Sequence, residues 1–268
     1  MHLFREHTVL ALNAAEGLVQ LALARGGDLL GAVELSVAGR ANEHMAPAAV
    51  ELLAGQGLAV PDLAGVASVR GPGGFTGLRM SLAFCLGLAR GAGLPMAGLD
   101  YLPLVAAGPG IVFTGLLAVW VRSRAGQVYA QHFQASSGDQ GPTPLDGPRA
   151  LALPDAARHL AEAAEARPGP VAVVGSGAIM PGAAEALAES GLDNDPPPGG
   201  PWCDPAPEIL ARAACSAAYG PEPPEPLYLR VSDAEENLAA IARSRGLDPD
   251  EAAKRLARAM AGPDNGQS

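Results

Sequence analysis

Short apolar segments separated by polar turns make up the start of the chain. Val9 to Leu12 is continuously apolar, and Leu18 to Ala24 is apolar around the single polar residue Gln20. Gly26-Gly27-Asp28 is typical of a hairpin turn, and a further apolar-rich segment runs from Leu30 to Val37. The pattern predicts three antiparallel strands.

Helical spacing then alternates with short apolar runs. A first helix is predicted to begin at Asn42, a good N-cap, and to end at Gly55 or Gly57. Buried strands are predicted at Val66–Val69 and Pro95–Leu99, with a second helix between them. The order strand, helix, strand is that of a parallel βαβ unit.

A glycine-rich turn leads from the first of these two strands directly into the second helix. Gly71, Gly73, Gly74 and Gly77 would let another backbone or a ligand come close, and free amides at a helix start favour an anion. The turn is not a P-loop, because Gly77 is followed by Leu-Arg, and its glycine spacing differs from the dinucleotide motif. A structural turn is the favoured interpretation of the glycines, with an anion-binding loop as the alternative.

The second helix carries two apolar stripes, which predicts burial on two sides. The stripes are Leu78, Leu82, Cys85 and Ala89, and Met80, Phe84 and Leu88. One stripe can face the sheet of the same chain. The other needs cover from elsewhere in the chain, such as the C-terminal tail, or from another protein.

Further along the chain, the breaker cluster Gly108-Pro109-Gly110 is expected to start a second lobe. Strands are predicted there at 116–121, 127–134 and 171–174, and helices at 154–166, 182–190 and 207–219. Pro221–Pro226 is interpreted as a linker. The remaining tail has helical spacing at 233–245 and 249–261.

Composition bounds the possible partners. The 268 residues carry a net charge of -10 and no dense basic cluster, so the chain is a poor candidate for binding RNA by itself. The three cysteines are odd in number and lack a CxxC pair, which indicates a reducing compartment. With no secretory signal and no apolar run near the roughly 20 residues of a membrane span, we expect a cytoplasmic protein without membrane contact.

Candidate chemistry is sparse. The five histidines show no i, i+4 pair, so we expect no catalytic metal. Gly175-Ser176-Gly177 is interpreted as a structural turn, because Val174 stands where a nucleophile motif would need glycine. No nucleophile with an evident base is found.

The segment Arg70-Gly-Pro-Gly-Gly-Phe-Thr-Gly-Leu-Arg79 resembles the RGPGSFTGLR signature of the TsaB/YeaZ family, with Gly74 in place of the usual serine. Weaker matches are His44 at a helix start, Gly126-Gln-Val-Tyr129 and Pro226-Leu-Tyr-Leu-Arg230. The resemblance covers roughly residues 8 to 230.

The resemblance implies an α/β, two-lobed actin/sugar-kinase/Hsp70-like (RNase H-like) fold with mixed sheets flanked by helices. The expected domains are an N-terminal lobe at 8–107, a second, degenerate lobe at 108–230 and a helical C-terminal extension at 231–268. The family does not account for that extension.

The resemblance also implies a function. Members of the family are non-catalytic partners of the TsaD threonylcarbamoyltransferase, which acts with the ATPase TsaE. Together they form N6-threonylcarbamoyladenosine next to the anticodon of tRNAs that read codons beginning with A. The implied partners are a TsaD-like subunit and a TsaE-like ATPase, with tRNA bound only through the complex and a homodimer when the chain is alone.

Departures from the family pattern support a non-catalytic role. The turn after the first strand is Leu12-Asn-Ala-Ala15 instead of Ile-Asp-Thr-Ser, and asparagine can neither act as a base nor offer Mg²⁺ a charged oxygen. Arg122 replaces a family acid. TsaD's two metal-binding histidines correspond to Tyr101 and Val105. An active small-molecule kinase or ATPase of the same superfamily is the alternative function, and a hydrolase is a third.

The expected sites follow from these arguments. No catalytic residue, metal or cofactor is expected, although a nucleotide at the partner interface stays open, with Gly71, Gly73 and Gly74 as the nearby loop. The partner interface is expected to contain His44, Met45, Ala48, Leu52, Phe75, Thr76, Arg79, Met80 and Phe84.

Overall fold

The computed structural model describes residues 7–36, 41–136, 141–192, 202–230, 242–244, 248 and 250–251. Met1 to Leu229 form one compact unit and Arg230 to Ser268 a second. Within the second unit, 242–244 and 250–251 are helical. The rest of the predicted helical extension lies outside the described residues.

The first sheet has five strands in the order β3-β2-β1-β4-β5. Strands β1 to β3 form an antiparallel meander, and β4 and β5 run parallel to β1. Its strands are β1 (Thr8–Asn13), β2 (Val19–Arg25), β3 (Asp28–Leu35), β4 (Gly65–Gly71) and β5 (Met96–Asp100). This arrangement confirms the predicted three antiparallel strands followed by a parallel βαβ unit.

Helices cover this sheet because β1 is apolar on both faces. Helices α1 (Ala41–Ala54) and α2 (Phe75–Ala92) pack on the face that carries Leu10 and Leu12. A 3-10 turn at Val60–Asp62 leads from α1 into β4.

The second sheet has the order β10-β6-β7-β8, with β9 also paired to β7. Its strands are β6 (Gly115–Arg124), β7 (Gln127–Ala135), β8 (Thr143–Pro144), β9 (Arg149–Ala152) and β10 (Val171–Val174). Helices α4 (Leu153–Glu165) and α5 (Ala183–Glu189) pack on one face, in the core around Trp120. Helices α3 (Tyr101–Gly110) and α6 (Pro207–Ser216) belong to a core that contains residues of both sheets. The expected fold class, mixed sheets flanked by helices, is confirmed.

Helix α3 runs through Gly108 and Pro109, where the sequence predicted a break, and ends at Gly110. All three residues lie in the buried last turn of the helix, so the expected lobe boundary at residue 108 falls inside it. A Cβ on Gly108 would lie 2.7 Å from the Trp202 ring, and one on Gly110 would lie 2.3 Å from Pro142. These glycines therefore permit close packing around the helix instead of ending it early.

The segment after α6 is packed on the first sheet instead of acting as a free linker. The Leu227 amide donates to the Arg70 carbonyl at 2.7 Å, and Gly220 pairs with Met96. A Cβ on Gly98 would lie 2.7 Å from Pro224. Among the described residues, no helix is long and apolar enough to cross a membrane.

Candidate partner surface

The glycine-rich loop is packed against the turn that follows β1. The Gly74 amide donates to the Ala15 carbonyl at 2.7 Å. A Cβ on Gly73 would lie 2.4 Å from that carbonyl oxygen, and one on Gly77 would lie 2.0 Å from the Ala14 carbonyl oxygen, so neither position tolerates a side chain. Carbonyl oxygens next to the start of α2 disfavour an anion there, and the packing accounts for both glycines without a ligand.

Gly71 and Gly74, the other two glycines expected near a nucleotide, differ in how much space surrounds them. Gly71 has a φ of 123°, and a Cβ there would lie 2.8 Å from the Leu227 carbonyl oxygen. Gly74 is exposed at the N-cap of α2 with a φ of -68°, and a Cβ there would stay 3.6 Å from the Ala15 carbonyl oxygen. A serine would fit at Gly74, so the departure from the family signature has no steric consequence.

Helix α2 has one buried side, as its first apolar stripe predicts. Leu78, Cys85 and Ala89 are buried under the sheet together with Ser81, whereas Leu82 of the same predicted stripe is half-buried. The second stripe, Met80, Phe84 and Leu88, is half-buried at the edge of the same core. Part of this stripe is left accessible at the surface of the compact unit.

A strip of small residues runs along the exposed side of α2, beside the second stripe. Ala83, Gly87 and Gly91 are all exposed. Among the described residues, no atom lies within 4 Å of a Cβ built on Gly87 or Gly91. A glycine inside a helix is destabilising by about 1 kcal/mol relative to alanine. No contact within the described chain accounts for this cost.

The α1 residues expected at the partner interface separate into two groups. Met45, Ala48 and Leu52 are buried in the core of the first sheet, so their side chains are not part of the accessible surface. His44 is half-buried at the start of the helix. Met45, Ala48 and Leu52 form an apolar face of α1 that packs on its own sheet, not on a partner.

The N-terminal end of α2 is engaged by the chain's own C-terminal segment. The Phe75 and Tyr228 rings stack with their centroids 4.5 Å apart, and Arg79 Nε donates to the Tyr228 hydroxyl at 3.0 Å. Thr76 is exposed beside them. Tyr228 itself is 37% exposed. The accessible surface at this end therefore combines Phe75 and Arg79 with a tyrosine contributed by the segment that follows α6.

The turn after β1 holds a closed hydrogen-bond network. Asn13 is fully buried, its amide nitrogen donates to Gln20 Oε1 at 2.7 Å, and its oxygen accepts from the Ala15 amide at 3.0 Å. Gln20 in turn donates to Glu34 and to the Pro205 carbonyl. Both the nitrogen and the oxygen of the Asn13 side-chain amide are hydrogen-bonded inside the protein. The side chain therefore stabilises the turn and is not directed to a ligand.

A second polar cluster surrounds Glu16, three residues after Asn13 in the same turn. The Ser176 hydroxyl donates to one Glu16 oxygen, and the Tyr101 hydroxyl lies 3.2 Å from the other. Tyr101 is also 3.2 Å from a carboxylate oxygen of Asp204. The cluster brings together the β1 turn, the start of α3, the turn after β10 and the segment before α6.

The environment of Glu16 changes its acidity. Burial raises the pKa of Glu16 to about 7; the hydrogen bonds from Ser176 and Tyr101 oppose this shift and Asp204 adds to it. Burial likewise raises the pKa of Tyr101, reinforced by the two carboxylates. The members of this cluster lie in four separate segments, so no local pattern in the sequence predicts it. The one local signal is an acid in the turn after the first strand.

The turn at Gly175-Ser176-Gly177 is structural, as predicted. A Cβ on Gly175 would lie 2.3 Å from the Trp120 carbonyl oxygen, which accepts the Gly177 amide at 2.8 Å. The Ser176 hydroxyl accepts from the Arg122 amide at 2.9 Å as well as donating to Glu16. It thus connects three segments, and no histidine takes part in the contact.

Comparisons with known proteins agree with the signature in the glycine loop. Residues 36–142 match the family model described as TsaD: tRNA N6-adenosine threonylcarbamoyltransferase. The tRNA threonylcarbamoyladenosine biosynthesis protein TsaB of Escherichia coli K12 is 32% identical over 128 residues, which is 47% of this chain and 54% of that protein. TsaB of Bacillus subtilis 168 is 28% identical over 131 residues, 49% of this chain and 57% of that protein. The chain spans about half the length of the curated relatives that it matches.

A solved structure shares the fold over most of the chain. YeaZ from Pseudomonas aeruginosa has 19% identity and a TM-score of 0.58, and the match covers 92% of this chain and 97% of that one. At this level of identity the likeness shows the arrangement of sheets and helices. The similarity to TsaB proteins at the level of sequence rests on the glycine-loop signature and on the two sequence matches.

Proposed function

Because the chain belongs to the TsaB/YeaZ family, we propose that it is a non-catalytic partner of a TsaD-like threonylcarbamoyltransferase. In this role it takes part in forming N6-threonylcarbamoyladenosine next to the anticodon, together with a TsaE-like ATPase. Alone, the chain is proposed to form a homodimer through the surface that otherwise binds the TsaD-like subunit.

The observation that carries this proposal is the exposed side of α2. Gly87 and Gly91 leave a shallow strip with open space above it, and the half-buried Met80 and Phe84 flank that strip. Small residues let a second helix approach closely, and flanking apolar side chains gain contact area when it does. An 18-residue helix is roughly 27 Å long, which suits an interface of about 800 Å² per partner.

The proposed interface uses those expected residues whose side chains are accessible. The proposed surface retains His44, Phe75, Thr76, Arg79, Met80 and Phe84, all at least partly accessible, and adds Ala83, Gly87 and Gly91. It does not include Met45, Ala48 and Leu52, because they are buried in the core. In the complex, tRNA phosphates are proposed to be bound mainly by the other subunits, since this chain carries a net charge of -10.

The alternative function, an active kinase or ATPase, has less support. Asn13 is fully buried, and its side-chain nitrogen and oxygen are hydrogen-bonded to Gln20 and to the Ala15 amide. The helix start behind the glycine loop faces the Ala14 and Ala15 carbonyls. Neither position presents the acid or the free amides that a phosphate-binding turn uses.

The test places a leucine on the strip. Gly87→Leu points into open space in the free chain and raises helix propensity, so folding should be unharmed. The added side chain should block close helix approach, weaken binding to a TsaD-like subunit at least tenfold, and reduce formation of the modified nucleoside in an assay with TsaD-like and TsaE-like proteins and tRNA. Gly141→Leu, at an exposed loop glycine that also faces open space, is the matched control.

Unchanged binding and modification by Gly87→Leu would overturn the proposed surface. Wild-type protein that adds nothing to the rate of a TsaD-like subunit would overturn the proposed function itself.

A further inference from the structure

Three metal-ligating side chains meet on the outer part of the second sheet, away from α2. His132 lies on β7, Asp146 lies between β8 and β9, and His159 lies on α4. Asp146 Oδ2 is 3.2 Å from His132 Nδ1 and 3.7 Å from His159 Nε2. One ligating atom from each residue can be chosen so that all three lie within 4.8 Å of one another.

The carboxylate is held in place by the strand beside it. Asp146 Oδ1 accepts the His132 amide at 2.8 Å, which leaves Oδ2 directed at the two imidazoles. The Gln131 side chain donates to the Asp146 carbonyl at 2.8 Å, and the Leu145 amide donates to the His132 carbonyl at 2.9 Å. The loop is thus fixed on both sides of Asp146, so the ligand positions are pre-organised.

We propose that His132, Asp146 and His159 form a binding site for a divalent transition-metal ion of the Zn²⁺ class. Two imidazoles and a carboxylate are a donor set that Zn²⁺ accepts in proteins. Metal–ligand bonds of about 2.0–2.1 Å in a tetrahedral site place neighbouring ligand atoms roughly 3.3 Å apart. The two measured separations, 3.2 and 3.7 Å, are close to that spacing.

Burial holds the His132 ring in place at the site. This residue is only 2% exposed, and its Nδ1 is directed at Asp146 Oδ2. The same nitrogen would bind the metal, whereas Nε2, which has no hydrogen-bond partner within the described part of the chain, points away from it.

The charges around the site are mixed. Asp146 supplies a carboxylate oxygen at the site. Arg149 and Glu162, whose charges are of opposite sign, also act on His159.

The metal would have a structural role, connecting β7, the β8–β9 connection and α4. The His132 and His159 rings already stack with centroids 4.5 Å apart. His159 and Asp146 are partly exposed, which gives an ion access and leaves a further position for water. Because the three ligands lie on three separate elements, no i, i+4 histidine pair is needed and the local sequence pattern does not predict the site.

The test uses the full chain stripped of metal with a chelator. Calorimetric titration with Zn²⁺ should show one ion per chain and a rise in Tm, and Co²⁺ should give the visible absorption bands of a tetrahedral site. His159→Gln, at a partly exposed position that should not disturb folding, should weaken Zn²⁺ binding at least tenfold and abolish the bands. Asp155→Asn, which removes an exposed carboxylate from the same helix, is the control and should bind like the wild type.

Two results would overturn the site: a wild-type chain that binds no stoichiometric Zn²⁺, or His159→Gln that binds it as tightly as the wild type. Because the titration needs no partner protein, its outcome is independent of the proposed role in tRNA modification.

Discussion

At the scale of single residues, Asn13 holds the turn after β1 together without an acid. Asn13 replaces the acid expected from the family pattern, and the structure shows that it is fully buried and hydrogen-bonded to Gln20 and Ala15. An unpaired acid at that position would be costly, because its carboxylate would face Gln20 Oε1 without a donor hydrogen. Asparagine fits this position because its amide offers both the donor that Gln20 needs and the acceptor that the Ala15 amide needs.

Glu16 gives a pH-dependent prediction at the same scale. Its pKa is about 7 in the folded protein against the ordinary value of 4.5, so between these pH values the folded state holds a proton that the unfolded chain has released. Stability should consequently fall as the pH rises through this window. Glu16→Gln cannot ionise, so its free energy of unfolding relative to the wild type should be higher at pH 8 than at pH 5 by roughly 1–3 kcal/mol.

Urea unfolding at the two pH values measures this difference. Glu185→Gln, at an exposed position of α5, is the control and should show no such change. If Glu16→Gln differed from the wild type equally at both pH values, the raised pKa of Glu16 would be refuted.

At the scale of elements, local pattern predicted those parts of the fold whose pattern is periodic or bounded by turns. Strand β1 is a continuous apolar run, and α2 has a clear buried stripe that begins after a glycine turn. Helix α3 was missed because it is apolar nearly all round and so lacks periodicity, and because Gly108 and Gly110 are also typical of a break. Trp202 and Pro142 pack so close to those glycines that a side chain at either position would collide with them.

The candidate sites were harder to predict than the elements. Periodicity placed Met80 and Phe84 on a second side of α2, and the structure leaves both half-buried. Periodicity did not predict that His44 is partly accessible and Met45 is buried, because both residues lie at the start of one amphipathic helix. The Glu16 cluster and the His132 site join residues far apart in the chain, and no local pattern marks such contacts.

The second stripe of α2 gives the prediction that belongs to this scale. Met80→Asp places a carboxylate at a half-buried position that can stay solvated in the free chain but would be desolvated in a complex. The variant should fold, and its association with itself and with a TsaD-like subunit should weaken at least tenfold. Sedimentation or light scattering measures the association, and circular dichroism checks the fold.

Ala188→Asp, at an exposed position of α5, is the control and should associate normally. Wild-type association by a correctly folded Met80→Asp would exclude Met80 from the interface.

At the scale of the whole molecule, the chain has two sheets and a net charge of -10. Among the described residues, no other part of the chain covers the exposed side of α2 at Gly87 and Gly91. The Asn13 turn and the packed glycine loop are compatible with the proposed scaffold role. In that proposal, the strip on α2 is the surface that binds the partner. The central claim is therefore an association, and it can be tested without knowing any activity.

The most direct measurement is the mass of the purified chain by light scattering on a sizing column, alone and mixed with a TsaD-like subunit. The proposed role predicts a homodimer of about 54 kDa, twice the 27.0 kDa of one chain, that converts to a 1:1 heterodimer on mixing. A chain that stays at 27.0 kDa and does not bind the added subunit would contradict the account.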